Sequence, residues 1–372
     1  ENQVQSDCCG CSACVEVCPK NCLTMGKNDD GIIVPIISNK DACIDCGLCS
    51  EVCPVENKIT ANYSNKYYGA YSDIPEDINF SASGGIFPAL ARWAIEQGGV
   101  VYGAYLDGKH DLYHTKITEA KDIKKLQNSK YFQSEIRAAY KTCKADLQEG
   151  RLVLFTGTPC QVQGLKLFLK KDFENLLTAD LICHGVPSKK MFDAYVAFLE
   201  KKHGGKLIDV NFRDKERNGW STTLRYTMEY QDGKREDYHL ISQLSEYFTA
   251  FLRGAIARES CYTCQFASMN RPGDITLGDF WGYQKKRPDL RHDQGLSLII
   301  SNSAKGEKAI HELRNHGVCL TEVDEECVKA SGNRNLYFPL QRPEIRERVY
   351  VELEQFGFEY IASMYFHNTQ TF

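Results

Sequence analysis

Residues 8–19 read CCGCSACVEVCP, and residues 43–54 read CIDCGLCSEVCP. In both stretches four cysteines follow the spacing C-x2-C-x2-C-x3-C, and a proline comes directly after the fourth. In this spacing three neighbouring thiolates wrap one 4Fe–4S cube and the fourth ligates a second cube. Zinc sites use two CxxC pairs set well apart, so zinc is the weaker reading. The two stretches predict an N-terminal module that holds iron–sulfur clusters and carries electrons.

The same spacing predicts which thiolates hold which cluster. The first cluster is assigned to Cys8, Cys11, Cys14 and Cys53, and the second to Cys43, Cys46, Cys49 and Cys18. Two further cysteines, Cys9 and Cys22, do not fit the spacing and are interpreted as bystanders. Residues 31–37 are apolar and are expected to form a strand that shields the clusters. We assign residues 1–61 to a 2×4Fe–4S ferredoxin-like domain.

Composition narrows the class of protein. The 372 residues carry 45 Lys+Arg against 49 Asp+Glu, a net charge of −4, and show no basic block for a nucleic acid. Apolar runs are far shorter than the ~20 residues of a membrane span. The 17 cysteines belong to a chain large enough to form a core without disulfides, which favours thiolate or metal chemistry inside the cell. No secretory leader is visible, and a cytoplasmic location is expected, although the sequence begins at Glu1 rather than Met and a removed leader is an alternative.

After a polar linker over residues 57–65, strands alternate with helices. This alternation predicts an α/β (α+β) domain over residues 62–372 with a mainly parallel sheet. Residues 206–240 read as consecutive strands and are expected to form an antiparallel insertion, which could also supply a dimer edge. The predicted strands are 66–72, 99–105, 151–155, 176–182, 274–277 and 296–301, and the predicted helices are 86–97, 134–147, 162–169, 188–201, 243–252, 304–316 and 342–355.

Four more cysteines lie at predicted strand ends or in a loop. Cys160 follows the strand at 151–155, Cys183 follows the strand at 176–182, and Cys261-x2-Cys264 occupies a later loop. Sites in open parallel sheets form at the carboxyl ends of strands, so these thiols are expected to face one crevice. Four thiolates would satisfy a third 4Fe–4S cluster or a zinc ion. The alternative is that they are small buried hydrophobic residues without a metal.

Three other segments carry candidate ligand-binding residues. Ser83, Gly84 and Gly85 precede a helix, whose free amides would suit a diphosphate, although Ser83 would equally serve as an ordinary N-cap. The loop at residues 128–134 mixes a cation, aromatic rings and amides that could grip a planar ring. Asp279 could orient a ligand or complete a cluster, or cap a helix beside a core tryptophan.

Taken together, the motifs resemble the coenzyme F420 hydrogenase/dehydrogenase β-subunit family over about residues 64–365. The motifs that carry the resemblance are Ser83-Gly84-Gly85, Lys130-Tyr131-x-Gln133-Ser134, Thr158-Pro159-Cys160-Gln161, residues 183–188 (CHGVPS), Cys261-x2-Cys264 and residues 273–282 (GDITLGDFWG). The resemblance implies an iron–sulfur flavoprotein. Members include the deazaflavin-reducing subunits of hydrogenases and formate dehydrogenases, and bacterial members often accompany polysaccharide biosynthesis.

The resemblance also implies site residues. It implies FAD held by Ser83, Gly84, Gly85, Lys130, Tyr131, Gln133 and Ser134, with Asp279 nearby, and an inner cluster held by Cys160, Cys183, Cys261 and Cys264. No GxGxxG fingerprint is present, so the FAD site is not of the Rossmann type. We name His184 and Lys130 as candidates for proton donation beside the flavin; a structural histidine is the commoner alternative for His184.

Two functions follow from this resemblance. The main hypothesis is an oxidoreductase that relays electrons from an external carrier such as ferredoxin, through its clusters and FAD, to a small organic acceptor. The alternative is an electron-transfer subunit of a larger hydrogenase or dehydrogenase complex that reduces or oxidises coenzyme F420 or NAD(P). The sequence does not indicate the acceptor or the direction of electron flow.

Overall fold

The computed structural model describes residues 7–57 and 65–367. Most of the predicted linker, together with the predicted domain boundary at 61/62, lies outside the described residues. The strands are Leu23–Lys27 (β1), Ile33–Ile37 (β2), Lys66–Ser72 (β3), Val100–Leu106 (β4), Leu112–Ile117 (β5), Val153–Gly157 (β6), Leu176–Leu181 (β7), Lys206–Asp214 (β8), Thr223–Glu229 (β9), Arg235–Ile241 (β10), Ile275–Asp279 (β11), Ser297–Ser301 (β12) and Val318–Val323 (β13).

The longer helices cover the sheet and the shorter ones connect its strands. The α-helices of the described residues are Ala13–Val17 (α1), Leu48–Glu51 (α2), Pro75–Asn79 (α3), Ile86–Glu96 (α4), Ile123–Leu126 (α5), Ala139–Gln148 (α6), Pro159–Leu169 (α7), Lys189–His203 (α8), Glu246–Leu252 (α9), Ala304–Glu312 (α10), Glu325–Ala330 (α11), Arg346–Phe356 (α12) and Phe358–Ile361 (α13). Within the described ranges, none of them has the length and apolar character that crossing a lipid bilayer would need.

The central sheet is mixed. Its eight strands follow the order β13-β3-β12-β11-β7-β6-β4-β5 among the described residues. The inner strands β11, β7, β6 and β4 run parallel to one another, whereas the pairs at both flanks are antiparallel. The predicted α/β class is confirmed, but the prediction of a mainly parallel sheet was wrong, because β5 and β13 were not recognised and β12 was not known to run antiparallel.

Both faces of the sheet are buried, which explains the continuous apolar runs of its inner strands. Alternate residues point to opposite faces. Leu154 and Leu177 pack with α4 and α10 on one face. Val153 and Phe155 pack with α6, α7 and the N-terminal module on the other face.

Residues 206–241 form a separate three-stranded antiparallel sheet with the order β10-β9-β8, as the predicted insertion required. Its apolar side chains share a core with α8, α9 and α12. Buried aromatic rings such as Phe192, Phe212 and Tyr247 fill that core. The insertion is therefore tied firmly to the rest of the domain.

Two helices begin at other residues than the sequence predicted, and both differences matter for the site. The helix predicted at 162–169 begins at Pro159, because Thr158 and Gln161 form a reciprocal capping box. Cys160 consequently lies in the first turn of α7. The helix predicted from residue 134 begins only at Ala139, because Glu135 pairs with β5 through His114 N–H and Leu112 C=O.

The N-terminal module packs directly on the larger domain. Its β1–β2 hairpin is antiparallel, and α1 lies against α7. The Sγ of Cys11 lies 3.0 Å from the point where a Cβ on Gly164 would stand, so only glycine allows this approach. Gln133 Nε2 donates to Cys9 C=O at 3.2 Å and Arg258 Nη2 donates to Ile33 C=O at 3.1 Å. These contacts place the cysteines of the module beside the ends of the inner strands.

Candidate iron–sulfur centre

The predicted inner cysteines converge at the carboxyl ends of the parallel strands. Cys160 stands in the first turn of α7 after β6, and Cys183 lies two residues beyond the end of β7. Gly185 has a φ of +114°, and a Cβ there would lie 3.3 Å from Cβ of Cys261. A glycine is therefore needed for the loop of Cys183 to reach the loop of Cys261 and Cys264.

A cavity of about 290 Å³ lies between these elements, and five cysteines line it. Four are the predicted residues Cys160, Cys183, Cys261 and Cys264, and the fifth is Cys9 of the N-terminal module. The interpretation of Cys9 as a bystander is therefore not supported by its position. The donor set suits an iron–sulfur cluster, because several soft thiolates around one cavity are the ligands that iron–sulfur clusters use.

The thiols of this cavity would remain protonated without a bound cation. Burial raises the pKa of Cys183 to about 12, with the neighbouring Cys160 as a further cause. Burial likewise raises the pKa values of Cys261 and Cys264, with nearby cysteines adding to the effect. The hydrogen bond to Cys9, followed by burial, holds the pKa of Cys160 far above its usual range. Metal ligation would supply the positive charge that such thiolates require.

Arg258 supplies a fixed positive charge at the cavity wall. It is 2% exposed, and its guanidinium donates to Gln133 Oε1 and Ile33 C=O, both neutral acceptors. Its charge lowers the pKa of Cys8, Cys160 and Cys261, partly offsetting their burial. Arg258 therefore favours the thiolate forms that a cluster needs.

A buried ion pair holds the cavity loops in place. Arg271 Nη2 donates to Asp180 Oδ1 at 2.8 Å, and both side chains are at most 1% exposed. Arg271 also donates to Phe266 C=O at 2.7 Å and Leu181 C=O at 2.6 Å. The arginine thus joins the segment after Cys264 to the end of β7 just before Cys183.

The two halves of the N-terminal module differ in exposure. Cys8, Cys14 and Cys53 neighbour one another, and burial followed by repulsion from Cys8 and Cys53 raises the pKa of Cys14 to about 12. By contrast Cys43, Cys46 and Cys49 are exposed. Cys22 is buried beside the motif; its N–H donates to Cys18 Sγ at 3.3 Å. The crossing of ligands between the two clusters stays a prediction.

The two candidate proton donors occupy different surroundings. His184 lines the cavity, and its Nε2 lies 3.1 Å from Leu252 C=O, so this nitrogen carries the proton. Burial lowers the pKa of His184, which favours the neutral ring at pH 7. Lys130 is not among the cavity residues; its Nζ donates to Leu126 C=O at 2.9 Å and Gln127 C=O at 2.7 Å. The structure therefore leaves His184 beside the cavity and places Lys130 outside it.

The glycines predicted to bind a diphosphate are packed against the sheet. Gly84 N–H donates to Ser297 Oγ at 2.9 Å, and a Cβ on Gly84 would lie 2.4 Å from Ala70 C=O. Ser83 Oγ donates to Leu296 C=O at 2.9 Å, and Gly85 adopts a φ of +80° at the start of α4. This turn is thus explained by its contacts with β3 and β12.

The residues of the predicted ring-binding loop are also bonded within the protein. Gln133 holds the N-terminal module and Arg258, and Ser134 Oγ lies 3.0 Å from His114 Nδ1. Tyr131 packs with its ring 4.5 Å from that of Phe251, which in turn lies 5.0 Å from the His184 ring. Tyr131 therefore links the cavity wall to the insertion.

Asp279 belongs to the contact between the insertion and the sheet. Both of its carboxylate oxygens accept from Arg213, at 2.7 and 3.1 Å, and Oδ1 also accepts from Trp220 Nε1 at 2.8 Å. Trp220 stacks on Trp281 with 4.1 Å between ring centroids. Asp279 is not among the residues that line the cysteine cavity. A cysteine, rather than Asp279, is thus positioned to complete a cluster there.

Sequence reasoning did not identify Arg258, Arg213 or the position of Cys9. An arginine three residues before Cys261 was a readable signal, because a cation beside clustered cysteines favours thiolates. Arg213 lies in the insertion, far in sequence from its partner Asp279, and nothing local indicates the pairing.

Comparison with known proteins identifies relatives of both parts of the chain. Residues 150–326 match the model of the family described as the C terminus of the coenzyme F420 hydrogenase/dehydrogenase beta subunit, and residues 7–57 match the 4Fe-4S dicluster domain. A curated relative is the coenzyme F420-dependent sulfite reductase of Methanocaldococcus jannaschii, 30% identical over 335 residues. The match covers 86% of this chain and 48% of the relative, so the chain spans about half the length of that protein.

A solved structure is also similar. It is a chain from the xenon-derivatised F420-reducing NiFe hydrogenase complex of Methanosarcina barkeri, with a TM-score of 0.47 and 17% identity. The alignment covers 81% of this chain and 97% of that chain.

The predicted resemblance to the β-subunit family is confirmed by the family models, and so is the N-terminal module as a dicluster domain. The chain thus joins a 4Fe-4S dicluster domain to a segment similar to the C terminus of F420 hydrogenase/dehydrogenase beta subunits.

Proposed function

Because the chain joins a 4Fe–4S dicluster domain to the C-terminal domain of F420 hydrogenase/dehydrogenase β subunits, we propose that it is an electron-transfer subunit exchanging electrons with coenzyme F420. The single observation that carries the proposal is the cavity in which Cys160, Cys183, Cys261 and Cys264 meet the N-terminal module. We propose that these four residues hold a third 4Fe–4S cluster. Its chemistry would be the one-electron exchange that connects the dicluster domain with the substrate side.

The residues around the cavity serve this chemistry by position and charge. Arg258 stabilises thiolates and simultaneously fastens the module through Ile33 C=O and Gln133. Arg271 keeps the two cysteine loops together through Phe266 and Leu181. His184 covers the cavity as a neutral ring, with Nε2–H engaged by Leu252 C=O. We also propose that His184 takes part in proton delivery. Its Nε2 carries the proton, so its Nδ1 can accept one.

The relatives favour F420 as the substrate over another small organic acceptor, which was the main hypothesis from the sequence. The family model and the curated relative both carry coenzyme F420 in their descriptions. The relative is about twice as long as the matched part, and its name gives it a sulfite reductase activity. We propose that the present chain likewise works with a partner that bears the final donor or acceptor.

FAD is the further cofactor that the family resemblance implies. The residues named for it do not form a free cradle, since Gly84, Lys130, Gln133 and Ser134 are all bonded within the protein. The proposal of FAD is therefore supported by the resemblance and not by this geometry.

Anaerobic purification followed by iron, sulfide and flavin analysis tests the proposal. Three 4Fe–4S clusters predict about twelve iron atoms per chain. About eight iron atoms would refute the inner cluster while leaving the dicluster domain intact. The same preparation is then mixed with F420 and dithionite or with reduced F420 and an electron-accepting dye. Absence of any F420 turnover in either direction, with full iron, would refute F420 as the substrate.

A further inference from the structure

Three potential metal ligands meet on the inserted sheet, outside the groups that the proposed function uses. They are Asp214, Glu216 and His239, and one carboxylate oxygen or imidazole nitrogen of each lies within 4.8 Å of those of the other two. Asp214 is the last residue of β8, and His239 lies in β10, across the central strand β9. A bulge between Asn211 and Asp214 places Asp214 on the face of the sheet to which His239 and Arg225 belong.

His239 is oriented by Asp214 so that its second nitrogen faces Glu216. The imidazole is 3% exposed, and its Nδ1 lies 3.1 Å from Asp214 Oδ2. Because an ionised carboxylate only accepts hydrogen bonds, Nδ1 carries the proton of the neutral ring and Nε2 carries the lone pair. Among the described residues Nε2 has no hydrogen bond, and it lies 3.7 Å from Glu216 Oε2. A lone pair thus faces a carboxylate, and a cation between the two would be attracted by both.

The surrounding charge also favours a cation. Arg225 contacts three carboxylates: its Nη2 lies 2.7 Å from Asp209 Oδ2, and its Nε lies 3.5 Å from Asp214 Oδ1. Its Nη1 lies 3.5 Å from Asp237 Oδ1, and Glu216 adds a fourth carboxylate beside His239. One guanidinium among four carboxylates leaves an excess of negative charge, which a divalent cation would reduce.

We propose that His239 Nε2 and the carboxylate of Glu216 bind a divalent transition-metal ion, with Asp214 holding the imidazole through Nδ1. The 3.7 Å between Nε2 and Oε2 is less than about 4.2 Å, the sum of two metal–ligand bonds of about 2.1 Å, so one ion can reach both atoms. A carboxylate that accepts from the other ring nitrogen is the common partner of a ligating histidine. An imidazole ligand favours Zn²⁺ and similar ions over Mg²⁺.

The ion would join β10 to the segment that follows β8. Next to Asp214 in that segment are Arg213, which donates to Asp279 at 2.7 Å, and Lys215, which donates to Ser83 C=O at 2.6 Å. Both contacts connect the insertion with the main domain. A bound ion would therefore stabilise the joint between the insertion and the main sheet, and this role is independent of the proposed function.

Binding of Mn²⁺ to the complete holoprotein tests the proposal. Protein with intact clusters, in anaerobic buffer freed of other metals, is titrated with Mn²⁺, and the free ion is counted from its EPR signal in solution at room temperature. We expect a single Mn²⁺ per chain, displaced by Zn²⁺ at a lower concentration than by Mg²⁺. His239→Gln, Glu216→Gln and Asp214→Asn should each weaken binding about tenfold or more.

Glu236→Gln is the matched control. Glu236 lies in the same strand as His239, but its carboxylate accepts from Tyr238 Oη at 2.9 Å and does not belong to the cluster, so this variant should keep full affinity. Glu216 is exposed, so Glu216→Gln should fold even if a change at the buried imidazole does not.

Three results would overturn the proposal. The first is the absence of Mn²⁺ binding, and the second is unchanged affinity in Glu216→Gln, which would mean an adventitious ion only. The third is displacement by Mg²⁺ as readily as by Zn²⁺, because a site without an imidazole ligand would behave in that way. An equal loss of affinity in Glu236→Gln would likewise contradict the site, since binding would then follow the total charge of the sheet. The iron count that tests the proposed function is unaffected by any of these results.

Discussion

At the scale of single residues, Arg258 dominates the electrostatics of the inner site. It is a buried cation whose hydrogen bonds go to neutral acceptors, while the titratable groups facing it are the thiols of Cys8, Cys160 and Cys261. A buried cation costs free energy unless an opposite charge compensates it. Thiolate-ligated clusters would provide that charge. Arg258 is thus both a support of the fold and part of the site.

We predict that Arg258→Gln lowers the reduction potential of the inner cluster, because the reduced cluster loses a nearby positive charge. Glutamine keeps a donor toward Ile33 C=O, so the fold should be retained. EPR-monitored redox titration measures the change. Arg253→Gln is the matched control, since Arg253 is exposed and donates to Tyr365 C=O. An equal shift in both variants would contradict a specific role of Arg258.

Lys130 gives a pH-dependent prediction. Burial lowers its pKa to about 7, whereas in the unfolded chain it keeps its ordinary value of 10.5. Between these values the unfolded chain binds more protons than the native protein, so stability rises with pH. Lys130→Met should remove this contribution, at most about 1.4 kcal/mol per pH unit. Lys215, whose pKa burial also lowers to about 7, contributes equally to both proteins and cancels.

Anaerobic urea unfolding at several pH values between 7 and 10 measures this difference. Lys109→Met, at an exposed position, should show the same pH dependence as the unsubstituted protein. If Lys130→Met also kept the pH dependence of the unsubstituted protein, the prediction would be wrong. The Lys130 ammonium would then stay charged from pH 7 to pH 10 in the native protein, stabilised by the carbonyls of Leu126 and Gln127.

At the scale of elements, the sequence predicted those strands and helices whose ends are set by neighbouring residues. β3 begins and ends at the predicted residues, and α4 ends one residue early, because apolar periodicity and flanking turn residues fix both. The order and direction of strands were less accessible. β5 and β13 are flank strands of mixed polarity; β5 forms a hairpin with β4, whereas β13 pairs with β3, which is distant in sequence.

In the candidate site, too, features set by local sequence could be predicted and features set by distant contacts could not. The compact cysteine motifs could be assigned from spacing alone, and the inner cysteines could be grouped because strand ends meet at one edge of a sheet. The segments that the resemblance implies for FAD could not be judged from local patterns. Ser83 and Gly84 look like a phosphate-binding turn in sequence, yet their atoms are engaged by Leu296 and Ser297, which lie more than two hundred residues further along the chain.

The contact between α1 and α7 supports a prediction for an element. In α7, Gly164 leaves room for Cys11 Sγ and Tyr140 Oη, at 3.0 and 2.9 Å from its missing Cβ. We predict that Gly164→Ala displaces α1 and weakens the first cluster, seen as faster iron loss to a chelator. Gly108→Ala is the control, because no heavy atom lies within 4 Å of a Cβ at that position. Equal rates of iron loss in the two variants would contradict this prediction, because α7 would then accommodate the added methyl group without displacing Cys11.

At the scale of the whole molecule, cysteine exposure decreases from the outer motif to the interior. Cys43, Cys46 and Cys49 are exposed, whereas Cys8, Cys14, Cys160 and Cys183 are half-buried. Such a gradient favours the outer cluster as the point of exchange with an external carrier, since electrons must enter where a partner can approach. At the other end, His184 lines the cavity of the inner cysteines.

This gradient predicts the order in which the clusters are lost. Under anaerobic conditions with an iron chelator, we expect an early loss of about four iron atoms from the outer cluster, followed by a slower loss of the remainder. The reason is access: the chelator reaches the exposed thiols of Cys43, Cys46 and Cys49 directly, whereas the inner cysteines are half-buried in a cavity between the N-terminal module and the larger domain. Timed iron assays with parallel EPR spectra distinguish the phases. Cys46→Ser should accelerate only the first phase. A single phase that removes all iron together would contradict the gradient, because it would mean that the module separates from the larger domain before any cluster is lost.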